Sequence, residues 1–405
     1  MKQTKLHYNI MATEAVLCSH FSTYKTNSYL KKQAQKQYFS TVVHLQIIFS
    51  SEIKVNFKET PLLHQCVPSP CYKMTRIYTE LCMASSPQPG GQKVSRPPSA
   101  PRFIFESRAA LDRILSKSES YAGVFPAHIS TIADHLGRAC TLNRNVVIGM
   151  IMLRQDGTYA IRHAINVACV VELALRDLGR SPAERRPVVA AALTMNIGMY
   201  AIQEKLSTQS GPLTDEQRLL MQVHPVEGRD TLRKLGVTDP LWLDYVLQHH
   251  EIPDGSGYPQ QLSGDSIHFE ARLIGIADRY CAMLTRNAWR RGQLSDLALL
   301  TSLTGSVNSI DVKLGRLFTQ TMGLYPPGAV VQLLNGEVGI VKRPGINEQT
   351  PIVAAIFNKQ WQPLENIIER DSEDIDYSII GVIESQRIAG LVPMEDVWGS
   401  DAAGA

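Results

Sequence analysis

No run of about 18 or more uninterrupted apolar residues occurs in this chain, so a membrane-spanning helix is not expected. Its start, MKQTKLHYNIMATEAVLCSHF, lacks the compact apolar block of a secretory signal, and a cytoplasmic protein is the reading that follows. Regular cysteine spacing is missing as well. The seven cysteines stand irregularly at 18, 66, 71, 82, 140, 169 and 281, which argues against a disulfide framework or a thiolate zinc site and for reduced, inert thiols.

What is present is enough apolar material for a sizeable core: 44% hydrophobic against 20% charged over 405 residues. The charge is uneven. Residues 1–100 hold 12 Lys and Arg against 4 Asp and Glu, a net of +8, while the remainder is net −5. That basic leader has little helical periodicity and ends in SSPQPGGQKVSRPPSAP, which cannot pack as a helix or central strand. Residues 1–102 therefore read as a disordered leader and linker, a solvated tail in preference to a nucleic-acid or membrane contact; no DNA partner is expected.

From Phe103 the texture turns to amphipathic helices. Leu111, Ile114 and Leu115 recur at helical spacing, as do Ile129, Ile132 and Leu136. The segment TYAIRHAINVACVVELALRDLG places Ile165, Ala168, Val171 and Ala174 near one stripe and closes on a Gly stop. Past about residue 325 the period changes. Asn335-Gly336 sits between two β-rich runs, a hairpin signal, and PIVAAIF and YSIIGVI supply further strand candidates. The expected fold is mainly α, a helical bundle over 103–320 with a small β-containing extension over 321–405.

The chemistry gathers at 249–259, HHEIPDGSGYP, where two adjacent histidines precede a Gly-rich turn suited to tight backbone angles. This wording resembles the HHExxDGxGYP signature of HD-GYP domains, bacterial helical domains associated with cyclic di-GMP hydrolysis. YAIRHAINVA, HPVEGRDTLRKLG and ARLIGIADRYCAML stand in the order of the family's other elements. The resemblance spans roughly 103–345 and is sharp within 158–290. It implies an HD-type bundle, metal ligands at His163, His224, His249, His250 and Asp278, and a GYP loop carrying Asp254, Gly255, Gly257, Tyr258 and Pro259. Imidazole and carboxylate donors of this kind suit Fe, Mn or Zn.

The sequence departs from the family at 193–199. Met195 and Asn196 replace the His-Asp dyad, Met199 replaces a Lys, and Tyr159 stands where some trinuclear members carry a Glu. A neutral amide cannot supply the charge that holds two cations close together, and a thioether is a poor ligand for hard ions. Beyond the Asp278 helix, Trp289 and Arg290 replace the family's usual substrate contacts; stacking on a base and binding phosphate weigh evenly there against a core aromatic and a surface cation.

Two function classes follow from the resemblance. One is a degenerate HD-GYP signalling module that binds cyclic di-GMP, a related nucleotide or a diguanylate cyclase-type protein with little hydrolysis, holding one divalent metal or none. The other is a metal-dependent phosphodiesterase acting on cyclic di-GMP through a reduced metal site. A purely structural scaffold is a third, weaker option.

Overall fold

A computed structural model of the chain describes residues 98–209, 211–284, 312–347, 349–383, 388 and 392–404. The expected leader lies almost wholly outside these residues, and Trp289 and Arg290 lie outside them entirely. The described helices are α1 (Ala100–Leu115), α2 (Phe125–Leu142), α3 (Arg144–Leu153), α4 (Tyr159–Asp177), α5 (Pro182–Thr194), α6 (Tyr200–Thr208), α7 (Asp215–Lys234), α8 (Pro240–Gln248), α9 (Phe269–Leu284) and α10 (Val312–Met322). None is long and apolar enough to cross a membrane.

Local chemistry starts several of them. Ser181 and Thr214 make reciprocal capping boxes with Glu184 and Gln217, satisfying amide groups that the first turns of α5 and α7 leave open. Asp239 accepts from the Leu241 and Trp242 amides ahead of α8, with Pro240 in the first helical position. Helix α4 is the axis of the bundle: every residue from Ala160 to Leu175 is buried, and α1, α2, α5, α9 and α10 pack around it. The single apolar stripe read from its sequence therefore understates it. A helix surrounded on all sides needs small or apolar residues on every face, and the polar ones it buries need partners.

The chain then forms a five-stranded antiparallel sheet in the order β4-β3-β2-β1-β5. Its strands are β1 (Val330–Leu333), β2 (Val338–Arg343), β3 (Ile352–Phe357), β4 (Pro363–Asp371) and β5 (Ile379–Ile383). Val330 pairs with Ile340 across the hairpin whose turn holds Asn335 and Gly336, the latter at φ +87, where a side chain would be strained. A short helix, α11 (Met394–Trp398), ties sheet to bundle. Trp398 donates its indole N–H to the Lys342 carbonyl at 2.8 Å and lies against Gly149 of α3, where an added Cβ would come within 2.7 Å of the ring.

Candidate metal centre

The site is assembled where α4, α7, the C-terminal end of α8 and α9 meet. His224 projects from α7, and its neighbour Pro225 matters. Proline has no amide hydrogen, so the Met221 carbonyl four residues earlier loses its helical partner. His224 takes up that carbonyl, its Nδ1 lying 2.6 Å from Met221 O. His249 does the same at the end of α8, where terminal carbonyls are unpaired: its Nδ1 lies 2.7 Å from Val246 O. Both rings must then carry the proton on Nδ1, which leaves each Nε2 as a bare lone pair.

Those two lone pairs face each other at 3.2 Å. His250 joins them, its ring 4.1 Å from that of His249 and 5.1 Å from that of His224. One donor atom from each of the three falls within 4.8 Å of the others. Burial keeps all three neutral. It lowers His224 to about 3, aided by the adjacent His249, and it depresses His249 and, still further, His250. Neutral imidazoles with converging lone pairs repel one another unless a cation lies between them, and carbonyl-fixed Nδ1 protons are the usual outer support of metal-binding histidines.

His163 and Asp278 form a separate pair. His163 Nε2 lies 2.6 Å from Asp278 Oδ1, and among the described residues His163 Nδ1 is buried without a hydrogen-bond partner. Burial alone pushes the Asp278 carboxyl up. The hydrogen bond with His163 outweighs that and holds it below the usual carboxylate range. The ring of Tyr159 stacks on His163 at 5.2 Å. Of the five residues assigned as ligands by resemblance, three thus form one cluster and two are engaged with each other.

Met195 is fully buried at the end of α5, and Asn196 is buried just beyond it. Among the described residues the Asn196 side chain makes no hydrogen bond to any of the five. Gly198 explains why this turn lies beside the cluster: a Cβ there would stand 2.3 Å from the His224 carbonyl, so only glycine lets the 196–199 backbone approach α7 so closely. Half-buried Met199 precedes α6 in the same turn. Thr194, one residue before Met195, accepts the Trp242 indole N–H at 2.9 Å and joins α5 to α8.

The loop after the histidines is closed by a residue that was not singled out from the sequence. Buried Glu251 accepts amide hydrogens from Gln260 at 2.6 Å and Leu262 at 2.9 Å, drawing the far side of the loop back to the histidines. Asp254 accepts from the Ser256 amide and hydroxyl, Gly255 takes φ +81, and a Cβ on Gly257 would collide with the Glu251–Ile252 backbone. Tyr258, followed by Pro259, donates its amide to the His250 carbonyl and stacks its ring on His250 at 4.7 Å. The signal for Glu251 lay in the His-His-Glu triplet itself. That for the Nδ1 acceptors lay in His224-Pro225 and in the position of His249 at a helix end.

Residues 126–312 match the HD domain family. The chain is 25% identical to the cyclic di-GMP phosphodiesterase PA4108 of Pseudomonas aeruginosa, over 71% of this chain and 68% of that protein. It is 30% identical to the cyclic di-GMP phosphodiesterase response regulator RpfG of Xanthomonas campestris, over 45% of this chain and 44% of that protein. A likeness of shape extends to the solved HDG"Y"P protein Bd1817 of Bdellovibrio bacteriovorus, with TM-score 0.46 and 15% identity, over 62% of this chain and 79% of that one.

Residues 126–312 thus have the character of an HD domain. The chain is related to the cyclic di-GMP phosphodiesterases of the HD-GYP family.

Proposed function

We propose that this domain is a degenerate HD-GYP signalling module that binds cyclic di-GMP or a related nucleotide, retains a one-cation site, and hydrolyses slowly. The observation that carries this reading is the facing pair of Nε2 atoms on His224 and His249, 3.2 Å apart with both Nδ1 atoms occupied. With His250 they offer the neutral nitrogen donors that Fe, Mn or Zn accept. A cation held there would polarise a phosphate oxygen and acidify a bound water.

A second cation has poor support in the residues present. Met195 and Asn196 offer a thioether and an amide at the dyad positions, and the Asp278 carboxylate is taken by His163. The chain's own side chains then serve binding more than bond cleavage: Tyr258, stacked on His250, is a flat apolar face beside the cluster for a base. The 254–259 loop, clamped by Glu251, is the surface on which a diguanylate cyclase-type partner would dock in this reading. The hydrolytic reading keeps one specific support, since three histidines without further protein ligands leave coordination positions for water, as catalytic sites do.

Metal analysis of the purified full chain, with cyclic di-GMP binding and turnover measured beside an intact relative, tests the proposal. About one metal per chain, nucleotide binding, and turnover lower by at least ~100-fold are expected. Turnover equal to the relative's and abolished by His249→Ala would overturn it.

A further inference from the structure

Elsewhere in the bundle one pair of arginines shares a buried carboxylate. Glu172, in the core of α4, receives Arg176 at 2.6 Å and Arg185 at 3.0 Å. A second group of arginines has fewer carboxylates than cations. Arg108 of α1 and Arg162 of α4 are each only 8% exposed. Arg154 follows α3 directly, with its side chain 30% exposed. Arg108 and Arg154 both place their guanidinium carbon 5.9 Å from the centre of the Phe105 ring. Arg162 is tied to the next loop, donating from Nη1 to the carbonyls of Gln155 at 2.8 Å and Gly157 at 3.0 Å.

The charge here does not close. Among the described residues Asp156, 3.1 Å from Arg154 and 57% exposed, is the carboxylate ion-paired with the group. Glu204 acts on Arg162 from α6 while its Oε2 accepts the Ala160 amide hydrogen at 3.4 Å. Among the described residues Arg108 hydrogen-bonds only to the Asn166 side-chain oxygen, at 3.5 Å, while its Nε and Nη1 are buried with no partner. Burial, reinforced by Arg162 and Arg154, lowers the Arg108 guanidinium from its ordinary value against the opposing pull of Cys169 and Asp156. A buried cation with open donors and like charges for neighbours is among the least stable arrangements in a protein unless an anion completes it.

We propose that Arg108, Arg154 and Arg162 form a binding site for a phosphate-class oxyanion, entered past the exposed 156–158 loop and separate from the histidine cluster. Three planar guanidiniums from α1, the end of α3 and α4 suit a tetrahedral dianion with several acceptor oxygens better than a single carboxylate. Three guanidiniums against Asp156 and Glu204 leave a surplus of positive charge for it to meet. Tyr159 connects the two sites: Arg162 lies 5.9 Å over its ring, and that ring stacks on His163. An anion seated here therefore bears on the first helix of the metal centre without sharing its ligands.

The test is calorimetric titration of the full chain, with a chelator present, using inorganic phosphate, then guanosine monophosphate, each against chloride at equal ionic strength. Saturable binding of either is expected; a response to the nucleotide alone assigns the source as a nucleotide phosphate. Arg154→Gln, at the exposed mouth, should weaken binding on the order of tenfold. Asp156→Asn should tighten it, because the competing carboxylate is gone. His249→Ala should leave it unchanged. No response beyond chloride for either probe, weaker binding in Asp156→Asn, or loss of binding in His249→Ala would each overturn the proposal.

Discussion

His163 and Asp278, 115 residues apart in the chain, hold each other at 2.6 Å inside the bundle and join α4 to α9. Removing one member of such a pair leaves the other buried and unanswered. Asp278→Asn should lower the unfolding free energy by about 3 kcal/mol, read from urea denaturation. Because the three-histidine cluster does not need the carboxylate, the variant should keep its metal content. A loss of metal with unchanged stability would place Asp278 among the ligands.

Acid should destabilise the protein earlier than its surface carboxylates demand. His224 resists protonation in the folded chain down to about 3, against an ordinary 6.5. Between those values the unfolded chain binds a proton that the folded chain refuses, so stability falls as pH falls through that window. His249 and His250, depressed mainly by burial, act in the same direction. The depressed Asp278 adds to the loss at the acid end, since its contribution is present above its unfolded value and disappears below it. Urea midpoints of the metal-free protein should decline steadily below about pH 6, and His224→Ala should flatten that decline. Equal slopes in the two proteins would refute the assignment.

Glu251 gives a local test of the loop. Its carboxylate accepts from two amides across the GYP turn, and Glu251→Gln exchanges one acceptor for a donor facing an N–H group. The expected cost is about 1–3 kcal/mol. Hydrogen exchange should accelerate at the Gln260 and Leu262 amides while the Tyr258 amide, bonded to the His250 carbonyl, changes less. Uniform acceleration over the whole domain would instead report global destabilisation.

Periodicity carried the fold where an element has one wet face and failed where it has none or two. The stripes through Leu111, Ile114 and Ile129 are buried in α1 and α2, whereas α4 is enclosed on all sides. Strand β4, PLENIIERD, escaped notice because it lies at the sheet edge, largely exposed, with no apolar alternation to read. In the site, adjacent histidines and the Gly-rich loop are local in sequence and were legible. The pairing of His163 with Asp278 and the gathering of Arg108, Arg154 and Arg162 depend on helix packing between distant segments, which no spacing encodes.

The dyad positions offer the most direct test of why this domain should be slow. Met195 is fully buried and Asn196 lies next to it, in a turn that Gly198 brings against the backbone of His224. Met195→His with Asn196→Asp restores an imidazole and a carboxylate there. Asp278 does not then have to supply the only negative charge. The double variant should bind more metal per chain than the wild type and hydrolyse cyclic di-GMP faster, with incomplete recovery because Met199 and Tyr159 still depart from the family pattern. Burying a new polar pair at a packed helix end should cost about 1–3 kcal/mol, so stability must be followed beside activity. Asn196→Asp alone separates the effects, adding charge without altering the Met195 packing. If the double variant folds, binds no additional metal and gains no turnover, the missing dyad is not what limits this site.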